Sequence, residues 1–265
     1  MEITAIAATL PSHRFLENPS GQLAYVYLTQ FVRALAEQHA GRPFHELTVL
    51  DWGCGKGHVS KLLQQMAPGR LESCDILSKK DDSAFGQETP ILKQFGIAVK
   101  PLEHDFLLPY EDNSFDVVLS VGVLEHVPND QASLAEIERV LRPGGLFFCF
   151  FLPTKLSWTQ AIARHRGNEY HDRLYTKTQV GEMLETAGLS LLDFWYRQLL
   201  PKNTVIYPSF RTFEKLDQLV TEHTPLRHFA TNVEFVCMKP ELPQEQPGEL
   251  EQPGGLPNRT TSQAS

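Results

Sequence analysis

The stretch VLDWGCGKGH, from Val49 to His58, constrains the fold of this chain more than any other. An apolar run ends in Asp51, and glycines follow at Gly53, Gly55 and Gly57. Glycines permit φ > 0 and let a ligand approach the backbone closely. A helix starting near His58 would aim free N–H groups and a positive dipole end at the same loop. Three alternating glycines are more than a structural turn requires. A nucleoside-triphosphate loop needs GxxxxGK followed by Ser or Thr, whereas Lys56 lies between glycines with no hydroxyl residue after it. A dinucleotide loop prefers GxGxxG, one residue longer than the spacing here. A carboxylate ending the strand would repel a pyrophosphate and suits a cationic ligand, such as an amino-acid ammonium or a sulfonium.

The rest of the chain alternates strands and helices. A helix from about Gly21 to His39 follows the turn Asn18-Pro19-Ser20, with Ser20 as its N-cap. LTVLDW (47–52) reads as a buried strand, and HVSKLLQQM (58–66) as a helix packing through Val59, Leu62, Leu63 and Met66. LESCDIL (71–77), IAVKPL (97–102), FDVVLSV (115–121) and LFFCFFL (146–152) read as further strands. The continuous apolar run in FDVVLSV fits a strand covered on both faces. SLAEIERVL (133–141) is an amphipathic helix ended by Arg142-Pro143-Gly144-Gly145. Later come a helix at about 177–187, a strand LSLLDFW (189–195), a helix near 210–220 and a last strand NVEFVCMK (232–239). The alternation predicts an α/β, doubly wound, mostly parallel sheet with helices on both faces.

The 265 residues are enough for one large domain or two small ones, and at 42% hydrophobic and 21% charged they can build a real core. The net charge of -8 disfavours non-specific nucleic-acid binding, which requires a basic surface. Cys54, Cys74, Cys149 and Cys237 fall in or beside strands without ligand spacing and read as reduced core thiols. No zinc or magnesium cluster is legible, so no metal is expected. The N-terminal stretch is a poor signal peptide and no run is long enough to span a bilayer, so a cytoplasmic protein is expected. From Glu241 onward Pro, Gly, Gln and Glu dominate, and residues 241–265 read as a disordered tail. Asn258-Arg259-Thr260 in that tail reads as an accidental glycosylation sequon.

The glycine loop resembles the first motif of the class I S-adenosylmethionine-dependent methyltransferases, and the resemblance continues in order. CDI (74–76) is similar to the acidic end of their second strand. HDFLLPYEDNSFDVVLSVGVLEHV (104–127) is similar to the stretch from the adenine loop to the end of the fourth strand. EIERVLRPGGLFF (136–148) is similar to the next helix, turn and strand. The likeness spans about 48–240, nearest to the small-molecule branch that includes the ubiquinone-type enzymes. It implies a Rossmann-like seven-stranded sheet with an antiparallel last strand. Residues 1–240 would form the methyltransferase domain, with 1–46 a helical cover and 152–228 containing the acceptor-side cap and insertion.

The resemblance also implies S-adenosylmethionine as cofactor. Asp51 would hold the loop or, directly or through water, the methionine ammonium. Its alternative is a plain loop or helix cap. Gly53, Cys54, Gly55 and Gly57 would lie along the methionine portion. Asp75, 75 − 51 = 24 residues after Asp51, would accept from the ribose hydroxyls. Ile76 would pack on adenine, Asp105 accept from its amine, and Phe106 offer a backbone N–H. Ser120, Val121 and Gly122 would line the sulfonium region. His126 is the first candidate general base and His171 the second. In this family the Glu125-His126 position also serves as cofactor packing.

The acceptor side is expected in FLPTKLSWTQAIARHRGNEYHDRLYT (151–176), where Trp158, Arg164, His165, Arg166, Tyr170, His171, Arg173 and Tyr175 could grip an anionic or sugar-like group. A solvated cover is the other reading of that segment. Phe213, Leu216 and Val220 recur at helical spacing and read as core. The Asn/Asp-Pro-Pro-Tyr/Phe signature of amino-DNA methyltransferases and the double-glutamate loop of arginine methyltransferases are missing. The expected acceptor is therefore a small molecule: a phenol or quinol, a sugar, or a lipid-linked or natural-product intermediate. A non-catalytic sensor or assembly protein that binds the cofactor is the alternative. The oligomeric state is not legible.

Overall fold

The apolar run after Leu47 forms β1 (Thr48–Trp52), and the glycine loop after it turns into α2. The structure is a computed structural model and describes residues 19–76, 90–167, 171, 173–201 and 209–241. In chain order its elements are α1 (Pro19–Ala40), β1, α2 (His58–Gln65), β2 (Arg70–Ile76), α3 (Pro90–Phe95), β3 (Lys100–Leu102), β4 (Phe115–Val121), α4 (Asp130–Val140), β5 (Leu141–Pro153), α5 (Trp158–His165), α6 (Lys177–Thr186), β6 (Ser190–Arg197), α7 (Phe210–His223) and β7 (Asn232–Met238). Tyr170 and residues 242–265 of the expected tail lie outside the described residues.

The seven strands form one sheet in the order β3-β2-β1-β4-β5-β7-β6. β7 runs antiparallel to both its neighbours, and the other ladders are parallel. This is the predicted doubly wound sheet. The chain moves outward from β1 to β3, then returns to lay β4 on the other side of β1. That reversal opens a crevice at the carboxyl ends of β1 and β4, where such sheets bind ligands.

Alternate residues of the central strands feed opposite faces, as a period of two requires. Leu50, Trp52, Val118, Phe147, Cys149 and Phe235 pack with Leu134 and Ile137 of α4 and Leu184 of α6. Val49, Val117, Leu119, Phe148, Phe150 and Val236 pack with Leu28 and Val32 of α1 and Val59 and Leu63 of α2. The four cysteines are buried and reduced, in line with their expected place in the core. Asp116 joins three elements: it accepts from Arg42 Nη2 at 2.7 Å, Arg142 Nη1 at 2.6 Å and the Thr48 amide at 2.8 Å. The C-terminal end of α1 is thereby fixed to the starts of β1 and β5.

Several boundaries differ from expectation. α1 takes in Ser20, which falls in its first turn rather than ahead of it, and Pro19 suits a helix start because its missing N–H is not needed there. β3 keeps only three residues of IAVKPL. β5 begins at Leu141, directly after α4, so Arg142-Pro143-Gly144-Gly145 belongs to the strand. The segment after β5 contains α5, whose N-cap Ser157 accepts from the Gln160 amide. In α7, Phe213 is buried but Leu216 is 43% exposed, so the expected apolar face joins the core only in part.

Candidate functional site

Gly53, Gly55 and Gly57 all take positive φ, at 72°, 51° and 85°. Their surroundings differ in a useful way. A Cβ at Gly53 would meet Val123 at 2.5 Å, and one at Gly57 would meet Leu92 at 2.4 Å. A Cβ at Gly55 would meet nothing nearer than the Gly53 carbonyl at 4.0 Å. The loop therefore packs through its outer glycines and leaves an open cradle at the middle one. Its backbone is held from below, where the Gly53 and Cys54 amides both donate to the Cys74 carbonyl, at 2.9 and 3.1 Å.

Two carboxylates border the cradle. Asp75, at the end of β2, is buried and accepts from the Gly55 amide at 2.5 Å. Burial raises its pKa. Asp51 is buried at the end of β1 and accepts from Ser60 Oγ at 2.5 Å; Ser73 Oγ donates in turn to Ser60 Oγ at 3.0 Å. Asp51 thus anchors the start of α2, the loop-holding role allowed by the sequence. Burial, with neighbouring Asp75 adding to it, raises its pKa to about 7. The folded state therefore binds a proton that the unfolded chain gives up near 3.8, and stability falls as pH rises between those values. Asp51→Asn keeps an acceptor for Ser60 and removes the buried charge. The variant should gain on the order of 2 kcal/mol in ligand-free stability at pH 8 and little at pH 4. Denaturant melts at the two pH values read this directly, and an equal change at both would remove the charge as its cause.

The residues expected to face adenosine offer different surfaces. Ile76 is apolar and 56% exposed at the end of β2, a free surface for a base. Asp105 is exposed. The Phe106 amide, expected to serve adenine, faces His104 Nδ1 at 3.4 Å within its own turn. Ser120 is buried, Val121 is partly so, and Gly122 at φ 66° turns the chain out of β4.

Beyond that turn the structure assembles a group that no sequence spacing reveals. Glu125 is 2% exposed, and its Oε1 lies 3.8 Å from His126 Nε2 and 3.9 Å from His171 Nδ1. The two imidazoles stack with centroids 5.4 Å apart. One ligand atom from each of the three residues lies within 4.8 Å of the others, a set able to hold a metal ion. Burial raises the Glu125 pKa to about 7. Two residues expected to grip the acceptor are turned inward to build this cluster. Arg173 donates to the carbonyls of Val127 and Pro128. The buried Tyr175 hydroxyl donates to the Leu124 carbonyl at 3.2 Å and to Asp130 Oδ2 at 2.9 Å. Together they hold the 171–175 segment against the 124–130 turn. Trp158 donates its Nε1 to the Leu199 carbonyl at 2.8 Å, while Arg164, His165 and Arg166 are exposed.

Tyr25 is a site residue that the sequence does not single out. Its ring lies 5.6 Å from Phe151 and 6.4 Å from His58, and burial, with the charge of Asp51 adding to it, raises its pKa to about 12. Among the described residues, α1 thus contributes a side chain beside the glycine loop, and amphipathic spacing alone did not separate Tyr25 from the core-facing residues of the same helix.

The cradle fits S-adenosylmethionine on these observations: open space over a bare backbone, buried carboxylates for its ammonium and ribose, and an exposed apolar strand end for its base. Comparison with known proteins agrees. Residues 50–149 match the family model described as a methyltransferase domain. The ubiquinone biosynthesis O-methyltransferase of Maricaulis maris is 29% identical over 178 residues, which are 61% of this chain and 67% of that one. The sterol 24-C-methyltransferase of Schizosaccharomyces pombe is 25% identical over 205 residues, which are 66% of this chain and 53% of that one, so the match spans about half the sterol enzyme. Among solved structures, the YcgJ protein of Bacillus subtilis superposes with a TM-score of 0.54 at 17% identity, covering 81% of this chain and 99% of that one, which shows the shared fold. With the motif order, the sheet order and the loop geometry in agreement, residues 50–149 match a methyltransferase domain, and the chain has the fold and the ordered motifs of the class I S-adenosylmethionine-dependent methyltransferases.

Proposed function

We propose that the chain methylates a hydroxyl group of a small organic acceptor, such as a phenol or quinol, a sugar, or a lipid-linked or natural-product intermediate. The observation that carries this reading is the convergence of His126 and His171 on buried Glu125, just past the end of β4. The bound cofactor supplies an electrophilic methyl group on a positively charged sulfur. A hydroxyl must shed its proton to become a good nucleophile, and His126 and His171 are placed to draw that proton off. Positioning is the other requirement, because displacement at carbon demands a line of attack. Arg173 and Tyr175 serve it by fixing the turn that carries Glu125 and His126. In the same proposal Gly53, Cys54, Gly55, Gly57, Asp51, Asp75, Ile76, Asp105, Phe106, Ser120 and Val121 bind the cofactor. Residues 19–40 act as a cover, and 152–228 contain the acceptor-side cap. The names of the ubiquinone and sterol relatives support a small acceptor. Among the described residues no helix is long and apolar enough to cross a membrane.

The test supplies the purified protein with methyl-labelled cofactor and an extract of its native cells. Label is then followed into aqueous metabolite, lipid, protein and nucleic-acid fractions. Enzyme-dependent label in a small-molecule fraction, on oxygen, is the expected result. Label in protein or nucleic acid, or on nitrogen or carbon, overturns it. Cofactor binding with no labelled product in any fraction favours a sensor.

A further inference from the structure

We infer that Glu125, His126 and His171 hold a divalent metal ion whose open positions take the acceptor's hydroxyl oxygen. The inference deepens the hydroxyl-methylation reading and rests on it for the use of the ion, though not for its binding. Two imidazoles and one carboxylate, with positions left open, suit first-row ions such as Mn²⁺, Fe²⁺, Co²⁺ or Zn²⁺.

Three features of the site point to a cation. The first is spacing. Ligand atoms around an ion with bonds of about 2.1 Å lie up to about 4.2 Å apart. The three donors here lie within 4.8 Å, and His126, whose side chain is 49% exposed, has room to close the difference by rotation. The second is the state of Glu125. Its carboxylate is 2% exposed, Oε2 accepts no hydrogen bond among the described residues, and Oε1 is beyond hydrogen-bond reach of either imidazole nitrogen. A carboxylate buried this way is expensive unless a cation reaches it. The third is support. Arg173 and Tyr175 act on the donors from outside, one through the carbonyls of Val127 and Pro128, the other through that of Leu124. They fix Glu125 and His126 on one segment against His171 on the other, the kind of outer brace that metal ligands require.

Such an ion explains how the cluster draws off a proton. A divalent ion lowers the pKa of a ligated O–H group by many units, as it does for water. The acceptor's proton then leaves to solvent. The oxygen–carbon bond forms as the carbon–sulfur bond breaks, and sulfur keeps the electron pair as a neutral thioether. With the ion bound, the two histidines serve as its ligands, and the ion replaces them as the group that promotes loss of the proton.

The test uses the full chain, stripped with a chelator and desalted, without cofactor. Mn²⁺ is titrated by the resonance signal of the free ion, and Zn²⁺ by calorimetry. The expected result is saturable binding of one ion per chain. Glu125→Gln and His171→Ala should each weaken it by at least the roughly 10–100-fold that follows loss of even a supporting partner. Circular dichroism checks their folding, and His126→Ala, at a half-exposed position, decides the matter if either of those variants unfolds. Lack of saturable binding of both ions overturns the site, as does binding that these variants leave unchanged. Methylation of a hydroxyl at the same rate in chelator and in Mn²⁺ overturns the role of the ion and leaves the functional reading standing. Metal binding lost in the variants, with no hydroxyl methylated, supports the site and overturns the functional reading instead.

Discussion

Gly55→Val is expected to weaken S-adenosylmethionine binding by about 100-fold or more, some 2.7 kcal/mol, in a protein that still folds. The argument rests on the contrast within the loop. Gly55 has open space where a side chain would go, so the fold can admit one, but its φ of 51° strains a β-branched residue. That strain is worth roughly 1–3 kcal/mol, or a fall in Tm of several degrees for a chain of this size. The added methyl groups would occupy the cradle. They would also disturb the Gly55 amide that Asp75 accepts from. Gly57→Val is the comparison, because its Cβ strikes Leu92 and should damage folding itself. Calorimetric titration and thermal melts of both variants separate the two effects. Unchanged affinity in a folded Gly55→Val would remove the loop from the cofactor site.

Replacing His126 and His171 together by Ala should lower kcat by about 10²–10⁴-fold, the usual range for removing proton-transfer or charge-stabilising groups. Cofactor affinity should stay within about threefold, because these rings lie past the turn at Gly122 and not along the glycine loop. The single variants should each approach the effect of the pair, since groups that act as a unit do not add. Steady-state kinetics beside a direct cofactor titration read the split. A double variant that loses cofactor affinity and keeps its turnover would assign the cluster to cofactor packing.

The sequence was legible where one local rule decided the outcome. β1, β4 and β7 are apolar runs covered on both faces, and no competing period exists for them. The glycine loop announces itself because backbone freedom is written in residue type. α3 is a helix of six residues, too short for a period to emerge, and α5 hides in a stretch whose Trp, Arg and His residues read as ligand contacts. Arg173 and Tyr175 were misread for the same reason: their side chains suit an acceptor, but their partners are backbone carbonyls of a turn near residue 127. The sequence marked His126 and His171 separately as bases. It did not show that both meet at Glu125, since 171 − 125 = 46 residues separate the two segments and the bonds of Arg173 and Tyr175 to the turn after β4 bring them together.

The reversed direction of β7 has a practical consequence. Asn232 pairs with Pro153 and Arg197, at the edge where the glycine loop lies, whereas Met238 pairs with Leu146 and Ser190, toward the opposite edge. Two backbone hydrogen bonds, Gly144 to Lys239 and Lys239 to Gly145, hold the chain there as it leaves the sheet. α1, in contrast, brings Tyr25 beside the loop. An anchor attached at Glu241, on a sensor chip or a bead, would therefore leave the crevice facing solution, while a bulky label on α1 near Tyr25 would crowd it.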